Sequence, residues 1–511
     1  MKNMKNYVLS AVVATVGLFG AHAESSAEKP NILFILADDQ CYDTIHALGN
    51  PEIQTPSLDR LVERGTSFSN TYNMGAWGAA VCVASRAMLN TGRSVWHAGC
   101  MYGDPRIDPD FKFPLKGKVL DREKMNFNMI GEAVMTDAFQ QGELWSQQMK
   151  AAGYETYMSG KWHVQHVKPE QVFDTTQNVR GGMPRTTQDV YKRKYEPGVA
   201  DVWSPSDETL NGYWQGGTHW SEVLANDAEA FIDQAKESDK PFFMYLAFNA
   251  PHDPRQAPQR FVDMYPVDKI KLPESFLPEN PCLDPMGCPK NLRDEMLAPF
   301  PRTEYSVKVN IQEYYALISH MDEQIGRMLD ALEASGEWDN TYIFFTADHG
   351  LAVGKHGLMG KQSMFEHSMR PPLLLVGPGV PANNTVDGNV YLQDVMPTSL
   401  ELAGAPVPKY VYFKSLLPVL RGEREGNYSR VYGSYMHRQR MIVEDGYKLI
   451  LYPKSGTVLL YNLEKDPQEL TDLAGKFEYA TLKKKLFRSF LELQEELDDP
   501  LDIKGIYSDL M

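Results

Sequence analysis

Short apolar runs that stop abruptly at charged or histidine residues recur along this chain. NILFILADDQ (31–40) closes on Asp38 and Asp39, and YETYMSGKWH (154–163) closes on Lys161 and His163. PFFMYLAFNAPHDP (241–254) reaches His252, and YIFFTADHG (342–350) ends at Asp348 and His349. Apolar runs without polar alternation read as strands buried on both faces. Between them, segments 55–65, 221–238 and 311–336 space their apolar residues three and four apart, as amphipathic helices do. Strands alternating with helices predict a sheet covered on both sides, with functional groups beyond the carboxyl ends of its strands. All four polar clusters fall at that edge.

The texture changes after residues 420–430. Segment 441–467 alternates apolar and polar positions, with Asp445-Gly446 and Ser455-Gly456 as tight turns, and a charged amphipathic helix follows over 476–497. The fold class expected is α/β: a large mixed, mainly parallel sheet sandwiched by helices, with a smaller C-terminal α+β domain carrying an antiparallel sheet. The boundaries expected are 1–23 for a leader, 24–425 for the large domain and 426–511 for the small one.

The leader reading rests on Lys2 and Lys5, an apolar run from Tyr7 to Gly20 and the small-x-small site Ala21-His22-Ala23. That run is too short for a membrane span, so the expectation is an exported protein, periplasmic or secreted. Its removal takes away two lysines and no acids, moving the formal charge from −16 to −18. An acidic surface of this kind excludes nucleic acid as a partner. Five cysteines in 511 residues are no disulfide scaffold. Cys282 and Cys288 flank a Pro/Gly loop suited to a local bridge, which leaves Cys41, Cys82 and Cys100, an odd number.

Asp38, Asp39 and Asp348 offer carboxylate oxygens from two strand ends, the donor set of a hard divalent cation. Calcium or magnesium fits better than zinc, since no paired-Cys or His-x3-His spacing is present. The competing reading of Asp38-Asp39 is a cap on the next helix. Lys161, His163, His252 and Lys361 form a second group, able to grip an anionic ester and protonate its leaving oxygen. Cys82 falls at a helix start, where backbone N–H groups attract anions, with Arg86 one turn further on. Taken alone, the cysteine reads as a buried structural thiol.

Together these residues resemble the type I sulfatases of the alkaline phosphatase superfamily. The family signature C-x-P-S-R, followed by T-G-R, reads here Cys82-Val83-Ala84-Ser85-Arg86 and Thr91-Gly92-Arg93. PNILFILADDQ, GKWH, APHDP, TADHG, GKQSMFE and LYNLEKDPQELTDLA extend the match over nearly the whole mature chain. The resemblance implies that Cys82 becomes formylglycine (3-oxoalanine), whose hydrated aldehyde takes sulfate from an ester. It also implies that Asp38, Asp39, Asp348, His349 and the modified Cys82 hold one Ca2+. Arg86 and Lys161 then steady the nucleophile, while His163, His252 and Lys361 bind sulfate or protonate the departing alcohol. Ala84 stands where proline is commonest, a variant resembling chains matured by oxygen-independent radical enzymes, so the expected partner is a maturase of that type. His349 stands where many members carry asparagine and some carry histidine.

The substrate expected is a sulfated glycan (glycosaminoglycan, mucin or algal), because the Trp-, Tyr-, Arg- and Lys-rich stretch 175–220 suits sugar stacking and polyanions. Two alternatives stand beside it. One is a phosphodiesterase or phosphonate ester hydrolase on the same scaffold; the other is a non-catalytic glycan-binding homologue in which Cys82 stays a thiol.

Overall fold

The computed structural model describes residues 29–99, 127–183, 188–210 and 214–511. The expected leader and Cys100 lie outside them. Thirteen strands matter here: β1 (Asn31–Ala37), β2 (Thr66–Phe68), β3 (Gly75–Ala76), β4 (Glu155–Lys161), β5 (Thr175–Arg180), β6 (Phe242–Ala247), β7 (Thr341–Ala347), β8 (Leu373–Val376), β9 (Asn384–Val386), β10 (Arg430–Tyr435), β11 (Gln439–Glu444), β12 (Tyr447–Tyr452) and β13 (Thr457–Asn462). The helices used below are α1 (Pro56–Arg64), α2 (Val81–Thr91), α3 (Trp220–Ala235), α4 (Glu304–Ser335) and α5 (Ala480–Glu496).

Each of the four apolar runs forms a strand, and all four lie side by side. The large sheet runs β9-β2-β8-β7-β1-β6-β4-β5. From β7 to β5 every pairing is parallel, while β8 is antiparallel to both of its neighbours. Alternate residues of β1 enter different cores. Ile32, Phe34 and Leu36 pack on one face with Ala84, Met88 and Trp145, and Leu33, Ile35 and Ala37 pack on the other with α1, α3 and α4. Full burial of side chains of this size is worth about 1.5–3 kcal/mol each, which is why the runs carry no polar alternation.

α4 begins earlier than the periodicity predicts. Thr303 caps it, its Oγ1 accepting the Ser306 N–H at 3.1 Å while Ser306 Oγ reaches back to the Thr303 N–H. The second sheet runs β13-β12-β11-β10-β3. Its hairpins are antiparallel, with Asp445 (φ 51°) and Gly446 (φ 73°) forming the expected turn. Its fifth strand, β3, comes from the segment leading to Cys82 and pairs in parallel with β10. α5 covers this sheet through Leu486, Phe487, Phe490 and Leu493. Among the described residues, no helix is long and apolar enough to cross a membrane.

The bridge expected between Cys282 and Cys288 is not formed. Both are free thiols: Cys282 precedes a short helix, and Cys288 Sγ donates to the Gln362 carbonyl at 3.0 Å. The loop closes instead through backbone bonds, Met286 N–H to Cys282 O and Cys288 N–H to Leu283 O, both at 2.9 Å.

Candidate active site

Sheet register builds the site. Ala37 pairs with Ala347, so Asp38 and Asp348 leave adjacent strand ends together, and Gly160 pairs with Ala247, so Lys161 emerges beside them. Asp38 N–H donates to Ala250 O at 2.9 Å, drawing in the loop that carries His252. Asp39 (φ 72°) and His163 (φ 51°) sit in the left-handed region, turning their chains sharply at the end of a run. Such strain concentrates where function over-determines the backbone.

Helix α2 lies buried along its whole length and places Cys82 in its first turn. Arg86, fully buried, donates from Nε to Asp348 Oδ2 at 3.0 Å and from Nη1 to the Lys161 carbonyl at 2.5 Å, with Nη2 3.6 Å from Asp38 Oδ1. The Lys161 ammonium pairs with Asp38. Lys361 donates to both oxygens of Asp39, at 2.8 and 2.7 Å, and lies 3.4 Å from Cys82 Sγ. His349 Nε2 is 3.2 Å from Cys82 Sγ and 3.1 Å from Asp39 Oδ1. His163 lies close enough to Cys82 for each to shift the other's ionisation, and His252 Nε2 lies 3.6 Å from Asp39 Oδ2. The nine other positions singled out in the sequence are thus gathered around Cys82 or around the carboxylates beside it.

The electrostatics are those of an anion site. Burial raises the Cys82 thiol, but Lys161, Lys361, His349 and His163 outweigh it and hold it well below the ordinary thiol range. Burial and Cys82 also oppose ionisation of Asp348, yet His349, Arg86 and Lys161 bring it down to about 2. Burial lowers His349, and Asp348, Asp39 and Cys82 more than reverse that, to about 10. Asp38 goes the other way: burial, with Asp348 and Cys82 alongside, pushes it up to about 8 despite Lys161.

That rise comes first from burial, with the neighbouring charges of Asp348 and Cys82 adding to it. Asp38 Oδ1 is also buried without a hydrogen-bond partner. Donor atoms of Asp39, Cys82, Asp348 and His349 lie within 4.8 Å of one another. Carboxylate oxygens so gathered fit a hard divalent cation.

Several participants carry no sequence signal. Asn73 Nδ2 donates to the Asp348 carbonyl at 2.5 Å and Ser85 Oγ to the same oxygen at 2.7 Å, fixing the turn after β7. Ser85 belongs to the C-x-A-S-R string, but Asn73 stands in a short segment no periodicity marks. Much of the basic and aromatic stretch 175–220 is turned inward. Arg193 binds Asp201 and Glu313 and lies over the Tyr195 and Trp203 rings, and Arg180 lies over Trp220 at 3.9 Å. Among the described residues of this stretch, Tyr191 O–H donates to Asp253 Oδ2 at 3.2 Å, and the carbonyl of Arg180, which pairs with Lys161, accepts the Trp162 N–H at 2.7 Å.

Comparison with known proteins matches residues 30–405 to the sulfatase family and residues 354–496 to the family described as N-sulphoglucosamine sulphohydrolase, C-terminal. A sulfatase of Formosa agariphila is 29% identical over 474 residues, covering 89% of this chain and 85% of the relative. An N-acetylglucosamine-6-O-sulfatase of Bacteroides thetaiotaomicron is 25% identical, covering 93% and 88%. A structure solved in complex with k-i-k-neocarrahexaose superimposes with a TM-score of 0.64 at 25% identity, covering 93% of this chain and 94% of that one.

Proposed function

Since this chain belongs to the sulfatase family and is a sulfuric ester hydrolase, we propose that it is an exported enzyme that removes sulfate from sulfated glycans. It does so at a formylglycine derived from Cys82, with a calcium ion held by Asp38, Asp39, Asp348, His349 and position 82. The observation that carries this reading is the convergence of three strand-end carboxylates and three buried cations on one helix-start cysteine. The relative named N-acetylglucosamine-6-O-sulfatase and the structure solved with k-i-k-neocarrahexaose support the glycan class.

Formylglycine supplies a hydrated aldehyde as nucleophile and a route for expelling sulfate afterwards, and calcium supplies charge against the sulfate oxygens. The remaining work belongs to the side chains. Lys161 and Lys361, with Arg86 behind them, face the sulfate oxygens from the sheet side and the loop side. His163, close to position 82, is placed to take a proton there. His252, its Nδ1 2.7 Å from the Asp253 carbonyl, turns Nε2 toward the site and gives a proton to the departing oxygen. Sulfate monoesters call for a barrier cut on the order of 20 kcal/mol, near the upper part of the enzymatic range. Positioning contributes about 7–11 kcal/mol, each preorganised donor about 3–4, and a placed acid about 10²–10⁴ in rate, so the constellation is needed whole.

Sulfate release from a panel of sulfated mono- and oligosaccharides, beside matched phosphate and phosphonate esters, tests the reading, together with the mass of the Cys82 peptide from the producing organism. The expected outcome is sulfate release from sugar esters and a thiol converted to an aldehyde. An unmodified thiol in that organism supports the binding homologue instead, and preferential cleavage of phosphonates supports the other hydrolase.

A further inference from the structure

Beside the constellation, one turn is bonded to two of the loops that build it. Arg293 Nη2 lies 3.4 Å from His252 Nε2 and 3.5 Å from Asp253 Oδ1, while Nε donates to Asp294 Oδ1 at 2.8 Å. Asp294 Oδ2 accepts from Gln362 Nε2 at 2.8 Å, and Gln362 Oε1 accepts the Lys361 N–H at 3.0 Å. Glu295, paired with Arg302, accepts the N–H groups of Met359 and Gly360 at 3.1 and 3.0 Å. The His252 loop and the Lys361 loop are thus tied to residues 293–295. Asp253 and Asp294 are both 2% exposed, whereas the Arg293 side chain keeps 46% of its surface in solvent. A planar guanidinium can bridge two carboxylates at once, where an ammonium satisfies fewer of these directions; the Arg293 N–H can meet Nε2 only while that nitrogen is unprotonated, so the carboxylate bridge carries the positioning.

We propose that Arg293 is a positioning residue for leaving-group protonation: by bridging Asp253 and Asp294 it sets His252 Nε2 against the ester oxygen and fixes its spacing from Lys361. The proposal rests on the sulfatase reading with His252 as proton donor. In that step the sulfuryl group passes to the nucleophile at position 82, the S–O bond to the leaving group breaks with its electron pair going to the oxygen, and that oxygen takes the proton from Nε2, leaving His252 neutral. A nitrophenolate departs without a proton, but a sugar alkoxide does not, so misplacing the donor harms poor leaving groups selectively.

The test compares wild type with Arg293→Met, Arg293→Lys and Asp294→Asn, each carrying formylglycine. The readouts are kcat and KM on aryl sulfates of rising phenol pKa and on one sugar sulfate. Arg293→Met is expected to lower kcat on the sugar sulfate by about 10²-fold, the smaller end of the worth of a placed acid. KM and turnover of nitrophenyl sulfate stay near wild type, and the dependence of kcat/KM on leaving-group pKa steepens. Arg293→Lys shows the same change at smaller size and carries the test if Arg293→Met fails to fold, as judged by thermal melting. Equal loss on every ester, a rise in KM alone, or no change overturns the proposal while leaving the function intact. A wild type that releases no sulfate from any ester overturns both.

Discussion

At the scale of single residues, charge is balanced by neighbours rather than by water, and two measurements expose it. Chelation is the first. With Asp38 pushed up to about 8 and its Oδ1 unpartnered, a bound cation stabilises only the folded state. Removing calcium with a chelator is expected to lower the melting temperature as well as the rate, and restoring the ion at about 100 times its Kd returns about 2.7 kcal/mol. The second concerns His356, buried against the Phe365 ring at 4.1 Å with Nε2 donating to Gln468 O. Burial brings it down to about 4 from 6.5. Because the folded form resists a proton that the unfolded chain accepts, stability is full above pH 6.5 and declines as pH falls towards about 4, by about 3 kcal/mol in all. His356→Phe is expected to flatten the pH dependence of the urea midpoint across that window. Asp38, Asp39, Asp348 and His349 were legible at this scale because each directly follows an apolar run. Arg293 and Asn73 were not, since their partners are distant in sequence and their neighbours carry no pattern.

At the scale of elements, strand ends are held by backbone approaches that tolerate no side chain. Gly160, one residue before Lys161, has φ 91°, and a Cβ there would lie 1.9 Å from the Ala247 carbonyl oxygen. Gly160→Ala is expected to cost about 2–5 kcal/mol, from the left-handed backbone and the overlap together, and to lower kcat by displacing Lys161. A urea titration run beside a rate measurement checks both. The buried parallel strands were readable because burial on both faces leaves an unbroken apolar run. β3 was not: two residues carry no period, and its pairing with β10 is purely tertiary. The early start of α4 escaped because the periodic segment begins after its cap.

At the scale of the whole molecule, a buried ionic knot fastens the second sheet to the first. Lys448, on β12, lies 2.6 Å from Glu366 and 2.8 Å from Glu469, with Arg370 on the far side of Glu366. Lys448→Met leaves two buried carboxylates with too little compensation and is expected to cost about 3–5 kcal/mol. Burial and Glu366 push Glu469 up to about 7 even with Lys448 holding it down; without Lys448 that carboxyl takes its proton at higher pH, so the loss is largest at alkaline pH and has already shrunk by about pH 7. Denaturant midpoints at alkaline and acidic pH check the sign. The alternation of 441–467 announced this sheet, but nothing local announced its attachment through Gly75–Ala76.

That attachment puts the chain's chemistry on a clock. While the polypeptide is being synthesised, position 82 leaves the ribosome long before Ser434 and Tyr435 exist to lie against Gly75 and Ala76. In the folded chain Cys82 is 3% exposed, with Lys361 Nζ 3.4 Å from its sulfur. Any protein that must alter that side chain has only the interval between. If position 82 is converted as proposed, slowing elongation through residues 83–430 is expected to raise the converted fraction, read from the mass of the Cys82 peptide.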